Sequence, residues 1–239
     1  MAVVRTDVPG FDELAGGGLP ECTVNVIGGP AGSAKSLFSM QFLYNGAVKH
    51  GEPGLYLTLE ESRDNIKRAM GNFGMDIDKL EEAEKLYIVD MGKLRLQCNI
   101  SEEKAYDLIG FQTLMDFLKS YLTFSKAKRM VLDSVTAVGL YYQNMEELRS
   151  EMFKFSRFLK EHELTSILIT ETVSTGSTRY GIEEFVGDSF IALGYENVEG
   201  EYRRTVTIKK MRFVKHDPLK HPFLIMQKGI EISPDETIF

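Results

Sequence analysis

The feature that most narrows the fold is a short apolar run, Thr23-Val24-Asn25-Val26-Ile27, which breaks at Gly28 and continues as Gly29-Pro30-Ala31-Gly32-Ser33-Ala34-Lys35-Ser36. Such a run bounded by glycine reads as a buried strand. The next residues, Ser36 to His50, carry Leu37, Met40, Gln41, Phe42, Tyr44, Ala47 and Val48 at near-helical spacing, with Gly51 as the stop. The loop between follows the phosphate-binding pattern GxxxxGK[ST], which needs this strand–loop–helix context. In such a loop, backbone N–H groups and a helix N-terminus surround phosphate oxygens. The lysine reaches the terminal phosphates and the hydroxyl ligates Mg²⁺. Gly29, Lys35 and Ser36 are in register, but Ala34 stands where the pattern has glycine, chosen there for its missing Cβ. The plain alternative is a glycine-rich turn that binds nothing.

The alternation continues along the chain. Apolar runs at Leu55–Leu59, Leu86–Asp90, Arg129–Ser134 and Ser166–Thr170 read as strands. Between them, Ser62 caps a helix running toward Gly74, and amphipathic helices are predicted over Phe111–Tyr121 and Glu147–His162. Strands alternating with helices imply parallel crossovers. After Gly176 the runs Ser189–Leu193, Arg204–Lys210 and Phe223–Met226 follow one another without helices, which predicts an antiparallel extension. With no repeat and no linker, one α/β domain over 1–239 is expected. The stretch from Gly92 to Asp107 has no strong period and reads as a surface insertion.

Composition enters as a set of exclusions. With 28 Lys+Arg against 35 Asp+Glu the formal net charge is −7, which disfavours a protein that coats nucleic acid non-specifically. Cys22 and Cys98 form no CxxC pair, so neither a disulfide framework nor a zinc ribbon is expected, and both thiols read as small buried or inert groups. No run approaches the ~20 apolar residues of a membrane span, and the first residues lack a signal-peptide core, so a cytoplasmic chain is expected. His50, His162 and His221 lack metal-ligand spacing and are expected at the surface, while Phe153, Phe155 and Phe158 read as helix core.

Two acidic positions give the loop a chemical context. Asp133 ends the apolar strand Met130-Val131-Leu132, where a carboxylate can hold Mg²⁺ through water while Ser36 ligates it directly. Glu60-Glu61 follows the second strand, where a carboxylate can polarise a water against a γ-phosphate. The competing reading of that pair is a helix start enriched in acids.

Taken in order, these blocks resemble the KaiC-like branch of the RecA superfamily of ATPases over nearly the whole chain. The resemblance rests on Gly10-Phe11-Asp12, Gly17-Gly18-Leu19-Pro20, the loop, Gln41-Phe42-Leu43-Tyr44-Asn45-Gly46 and Leu59-Glu60-Glu61-Ser62. It continues through Leu132-Asp133-Ser134-Val135-Thr136, Thr170-Glu171, Arg179-Tyr180-Gly181-Ile182-Glu183-Glu184-Phe185 and Lys210-Met211-Arg212.

The resemblance implies a three-layer RecA-like fold and ATP with Mg²⁺ bound at the interfaces of a homo-oligomeric ring, typically a hexamer. It implies a binding set of Gly29 to Leu37, with Glu60 as general base, Glu61 beside it and Lys35 on the phosphates. It implies that Lys210 and Arg212 reach the neighbouring subunit's nucleotide, with His216 close to it and Asn72 near the base. Their alternation puts Lys210 and Arg212 on one face of a strand, where the plain reading is a solvated basic edge. The family's autophosphorylating branch carries adjacent hydroxyls that Glu184-Phe185-Val186-Gly187 lacks, so autokinase activity is not expected. One copy of the domain is present, so a full two-domain clock protein is not expected. Two further readings stay open: a non-hydrolysing, nucleotide-gated scaffold that signals to a protein client, and a DNA recombination ATPase. The latter would use Arg203, Arg204, Lys209, Lys210, Arg212, Lys215 and Lys220.

Overall fold

In the central strands alternate residues point to opposite faces, and both faces are apolar. Ile27, Tyr56, Val131, Ile167 and Ile169 enter one buried cluster; Val24, Val26, Leu55, Leu57, Met130 and Leu132 enter another. A sheet apolar on both sides must be covered on both. The computed structural model describes residues 2–93, 109–173, 177–198 and 200–238 and shows that three-layer arrangement.

The parallel part of the sheet runs β8 (Ser189–Val198), β3 (Val24–Gly29), β7 (Thr165–Glu171), β6 (Arg129–Asp133), β4 (Gly54–Thr58) and β5 (Leu86–Asp90). Beyond β8 the strands β9 (Glu201–Met211), β10 (Lys220–Met226) and β11 (Gly229–Ile232) continue it antiparallel. Helices α1 (Phe11–Leu14), α2 (Lys35–Asn45), α3 (Arg63–Gly71) and α4 (Ile77–Glu82) bury their apolar residues on the Ile27 face. Helices α5 (Phe111–Ser125), α6 (Val135–Gly139), α7 (Met145–Glu161) and α8 (Glu183–Val186) cover the Val26 face. A small separate sheet pairs β1 (Val3–Val4) with β2 (Leu19–Pro20).

Several sequence expectations need correction. The helix after the loop ends as α-helix at Asn45 and passes into a π-turn over Gly46–His50. At Gly46 a Cβ would lie 2.3 Å from Arg129 Nε, so this turn makes room for the buried Arg129, which pairs with Glu52 and donates to the Phe42 carbonyl. His221 is not at the surface: it is 1% exposed, with Nδ1 2.7 Å from the Glu236 carbonyl oxygen. Phe155 and Phe158 are core, but Phe153 is exposed, because α7 turns it away from the sheet. Cys22 is half-buried, and burial raises its thiol pKa, which lowers its thiolate fraction. Cys98 and most of the expected insertion from Gly92 to Asp107 lie outside the described residues.

Candidate active site

Strands β3, β4, β6 and β7 are parallel, so their C-terminal ends share one edge of the sheet. The loop 29–36 leaves β3 at that edge and opens α2. Local chemistry dictates its shape. At Gly29 a Cβ would meet the Leu193 carbonyl oxygen and Ser33 Oγ, each at 2.5 Å. Gly32 and Ala34 have φ of 78° and 69°, which bracket Ser33 with left-handed residues. That alternation turns successive N–H groups into one concavity, the geometry of an anion nest. Ala34 thus takes the conformation for which glycine is favoured, at a cost of roughly 1–2 kcal/mol. Its methyl packs against the Ile27-side core. The penalty of the missing glycine falls on the backbone.

Lys35 Nζ lies 2.9 Å from both the Gly29 and Pro30 carbonyl oxygens, folded over its own loop. Burial lowers its pKa, partly offset by Asp133, Glu171 and Glu60. Ser36 Oγ donates to Asp133 Oδ2 at 2.8 Å, so the expected hydroxyl–carboxylate pair is in contact. The same oxygen accepts the Tyr56 hydroxyl at 2.5 Å, and burial followed by the Asp133 charge pushes the Tyr56 pKa well up. Tyr56 therefore stays a neutral donor.

Glu60 and Glu61 part company. Glu60 Oε2 accepts from Ser134 Oγ at 3.5 Å, and desolvation, then Asp133 and Glu171, raise its carboxyl pKa. A carboxylate with a raised pKa is the better base. Glu61, exposed like Glu60, has its backbone held by Thr58 Oγ1 at 2.7 and 3.1 Å, which makes it a turn residue. Leu37 is buried in the core and offers only its backbone. Pro30 and Ala31 are exposed on the loop. Asn72 is the exposed C-cap of α3 and hydrogen-bonds to none of the loop residues.

Asp133, Glu60 and Glu171 surround Lys35, an excess of negative charge. Yet no group of three or more His, Cys, Asp or Glu among the described residues is arranged to hold a metal. That donor set suits Mg²⁺ bound through one hydroxyl, one carboxylate, water and substrate phosphates, and does not suit a protein-only cage.

Lys210 and Arg212 lie elsewhere. Arg212 N–H donates to the Asp188 carbonyl and Asp188 N–H to the carbonyl of Val24, the first residue of β3. The loop begins at the other end of that six-residue strand, about 20 Å away. Lys210 Nζ donates to the Glu184 and Gly187 carbonyls at 2.9 and 2.6 Å, and burial followed by Arg212 lowers its pKa. Arg212 Nη1 and Lys160 Nζ pair with opposite oxygens of the buried Asp188, at 3.5 and 3.3 Å. His216 sits next to Lys215, whose carbonyl abuts the Gly16 turn, and its Nδ1 is buried without a hydrogen-bond partner. Of the cations grouped as a DNA-binding set, Arg203 pairs with Glu201, Lys220 with Glu196 and Arg204 with the Gly32 carbonyl.

Sequence reasoning missed Tyr56, Ser134, Glu171 as a charge on Glu60, Asp188, and the contact of Arg204 with the loop. The Arg179–Phe185 block proves structural: buried Glu183 accepts from Thr170 and Thr178 hydroxyls and from the Tyr180 and Ile182 N–H groups.

A parallel α/β sheet with this loop, a strand-end aspartate on its serine and a flanking glutamate defines a P-loop nucleotide-site architecture. The family described as "ATPase: KaiC" matches residues 4–237. A UPF0273 protein of Thermotoga maritima is 36% identical over 237 residues, covering 98% of this chain and 96% of that protein. The circadian clock oscillator protein KaiC of Parathermosynechococcus lividus is 35% identical over 96% of this chain, which spans only 42% of that protein's length. A crystal structure of a KaiC-like protein from Pyrococcus horikoshii superposes with a TM-score of 0.84 at 35% identity, covering 98% of this chain and 99% of that one. The chain belongs to the KaiC ATPase family. No helix among the described residues is long and apolar enough to cross a membrane.

Proposed function

We propose that this chain, as one domain, binds Mg-ATP at the loop 29–36 and hydrolyses it within a homo-oligomeric ring, most simply a hexamer working in the cytoplasm. The observation that carries the reading is the contact of Ser36 with Asp133 beside a Glu60 whose pKa is raised. The loop N–H groups and Lys35 would hold the phosphates; the ammonium has three donors, and the Gly29 and Pro30 carbonyls occupy two of them. Ser36 and Asp133 would hold Mg²⁺, which neutralises phosphate charge when bound. Ionised Glu60 takes a proton from the attacking water, with Ser134 orienting its carboxylate. Lys210 and Arg212, remote from their own loop, act on the nucleotide of the neighbour, with His216 nearby, and so make turnover depend on assembly. Asn72 is the weakest member of the set and contributes at most a contact to the base.

Calorimetry with Mg-ATP tests the binding. Wild type should bind and Lys35→Ala should not; equal affinity in the two would remove the loop from the account. The scaffold reading keeps a specific support in Ala34, whose strained backbone bears on the loop's affinity. Phosphate release that is unmeasurable in wild type, with ATP binding intact, would favour it.

A further inference from the structure

We propose that Arg204 is a positioning residue for the phosphate loop: it locks the Gly32–Ser33 peptide so that the Ser33 N–H faces the phosphate cradle. The inference rests on the loop being the nucleotide site. Arg204 Nε donates to the Gly32 carbonyl at 3.1 Å. In a trans peptide the carbonyl and the following N–H point in opposite directions. Holding the Gly32 oxygen outward therefore turns the Ser33 N–H inward, where it now donates to the Pro30 carbonyl oxygen at 3.3 Å, an acceptor that a phosphate oxygen would replace.

A lock is needed here for a local reason. Gly32 has φ of 78° and no Cβ, so rotating this peptide unit meets little steric resistance. A flipped unit would present a carbonyl oxygen to a phosphate, reversing the sign of the contact. Arg204 is itself held. Its guanidinium lies over the Tyr195 ring at 4.5 Å, its cross-strand partner in the β8–β9 hairpin, and Tyr195 packs against Tyr202 at 5.2 Å. The Tyr195 ring also flanks the glycine: a Cβ at residue 32 would come within 3.6 Å of it. A planar, stacked guanidinium offers a fixed donor direction that a lysine ammonium lacks. Arg204 thus contacts the loop directly.

The test separates orientation from charge. Mg-ATP affinity is measured for wild type, Arg204→Met, which removes donor and charge, and Arg204→Gln, which keeps a donor only. Titrations are run at about 0.1 M and about 1 M salt, where exposed charges are largely screened. Loss of one charge-assisted hydrogen bond to the loop predicts about tenfold weaker binding in Arg204→Met. The deficit should persist at high salt, and Arg204→Gln should recover part of it. Amide hydrogen exchange in the unliganded proteins should quicken at Ser33 in Arg204→Met and in Tyr195→Leu, with Phe38 in α2 unchanged as a fold control. Equal affinity of Arg204→Met and wild type overturns the inference, as does a deficit that vanishes in high salt. If wild type binds no nucleotide, the functional reading fails separately. The lock is then judged on Ser33 exchange alone, and an unchanged rate refutes it.

Discussion

The two edges of the parallel sheet differ in how their charges are held. At the loop edge Asp133, Glu60 and Glu171 surround Lys35, which is turned onto carbonyls of its own loop, while Arg179 pairs with Glu171 and Arg204 with the Gly32 carbonyl. At the far edge Lys160, Lys210 and Arg212 gather around one buried aspartate, Asp188, and the carbonyls at the end of α8. Lys35 and Glu60 at the loop edge have shifted pKa values, and Glu60 has like-charge neighbours in Asp133 and Glu171, the condition of a site completed by a guest. The cations at the far edge are already held in place. The carboxylates beside the loop and the cations of the far edge, one strand length apart, do not reach each other within one chain. In the proposed assembly they would be complementary in sign between neighbours.

The largest effect is expected at Glu60. Removing a general base typically costs ~10²–10⁴-fold in rate, so Glu60→Gln should bind ATP and release phosphate that much more slowly in a steady-state assay. It should also melt slightly higher. Folding raises the Glu60 pKa, so the folded state holds that proton more tightly than the unfolded chain, and the ionised carboxylate weakens folding at higher pH. A wild-type rate would make Glu60 a helix-start acid, leaving Glu171 or Glu61 as the base.

The far edge is tested by Asp188→Ala. It leaves Lys160 and Arg212 without their shared partner and removes an acceptor from the Val24 N–H. Urea unfolding should show a loss of about 2–4 kcal/mol. A loss well under 1 kcal/mol would mean the cations are not anchored there.

The pH profile sharpens the loop edge. If Glu60 acts ionised, as proposed, kcat should rise with pH through its elevated pKa. Desolvation is the larger cause of that elevation, Asp133 the next, and Glu171 adds to it. Glu171→Gln should therefore move the acid limb to lower pH by a fraction of a unit; an unmoved limb would exclude Glu171 as a neighbour of the base.

The smallest effect is expected at residue 34. Ala34→Gly relieves roughly 1–2 kcal/mol of left-handed strain. It gives back about 0.5–1 kcal/mol of chain entropy. Stability should rise by less than about 1 kcal/mol, readable as a small upward shift in Tm; a fall would show that the methyl's core contact outweighs the strain.

What the sequence revealed about these edges follows from range. Runs such as Met130-Val131-Leu132-Asp133, and the loop itself, are legible because period and punctuation are local properties. The brief elements β1, β2, α4 and α6 span too few residues to establish a period. Tyr56 reads as a core residue in its strand and becomes a site residue only because β6 lies beside β4, 77 positions away in the chain. Asp188 and Arg204 share that difficulty, since their partners Val24 and Gly32 are 164 and 172 residues distant.

Mixing mutants decides whether the two edges form one site across a boundary between copies of the chain, as proposed. Lys35→Ala disables the loop edge and Arg212→Ala the far edge, so each protein alone should turn over ATP poorly. After subunit exchange is verified by mass, a mixture contains interfaces that join an intact Lys35 to an intact Arg212. Phosphate release from that mixture should exceed the sum of the separate mutants. Activity no higher than that sum, with exchange established, would contradict the account and leave Lys210 and Arg212 with a structural role at the Asp188 edge.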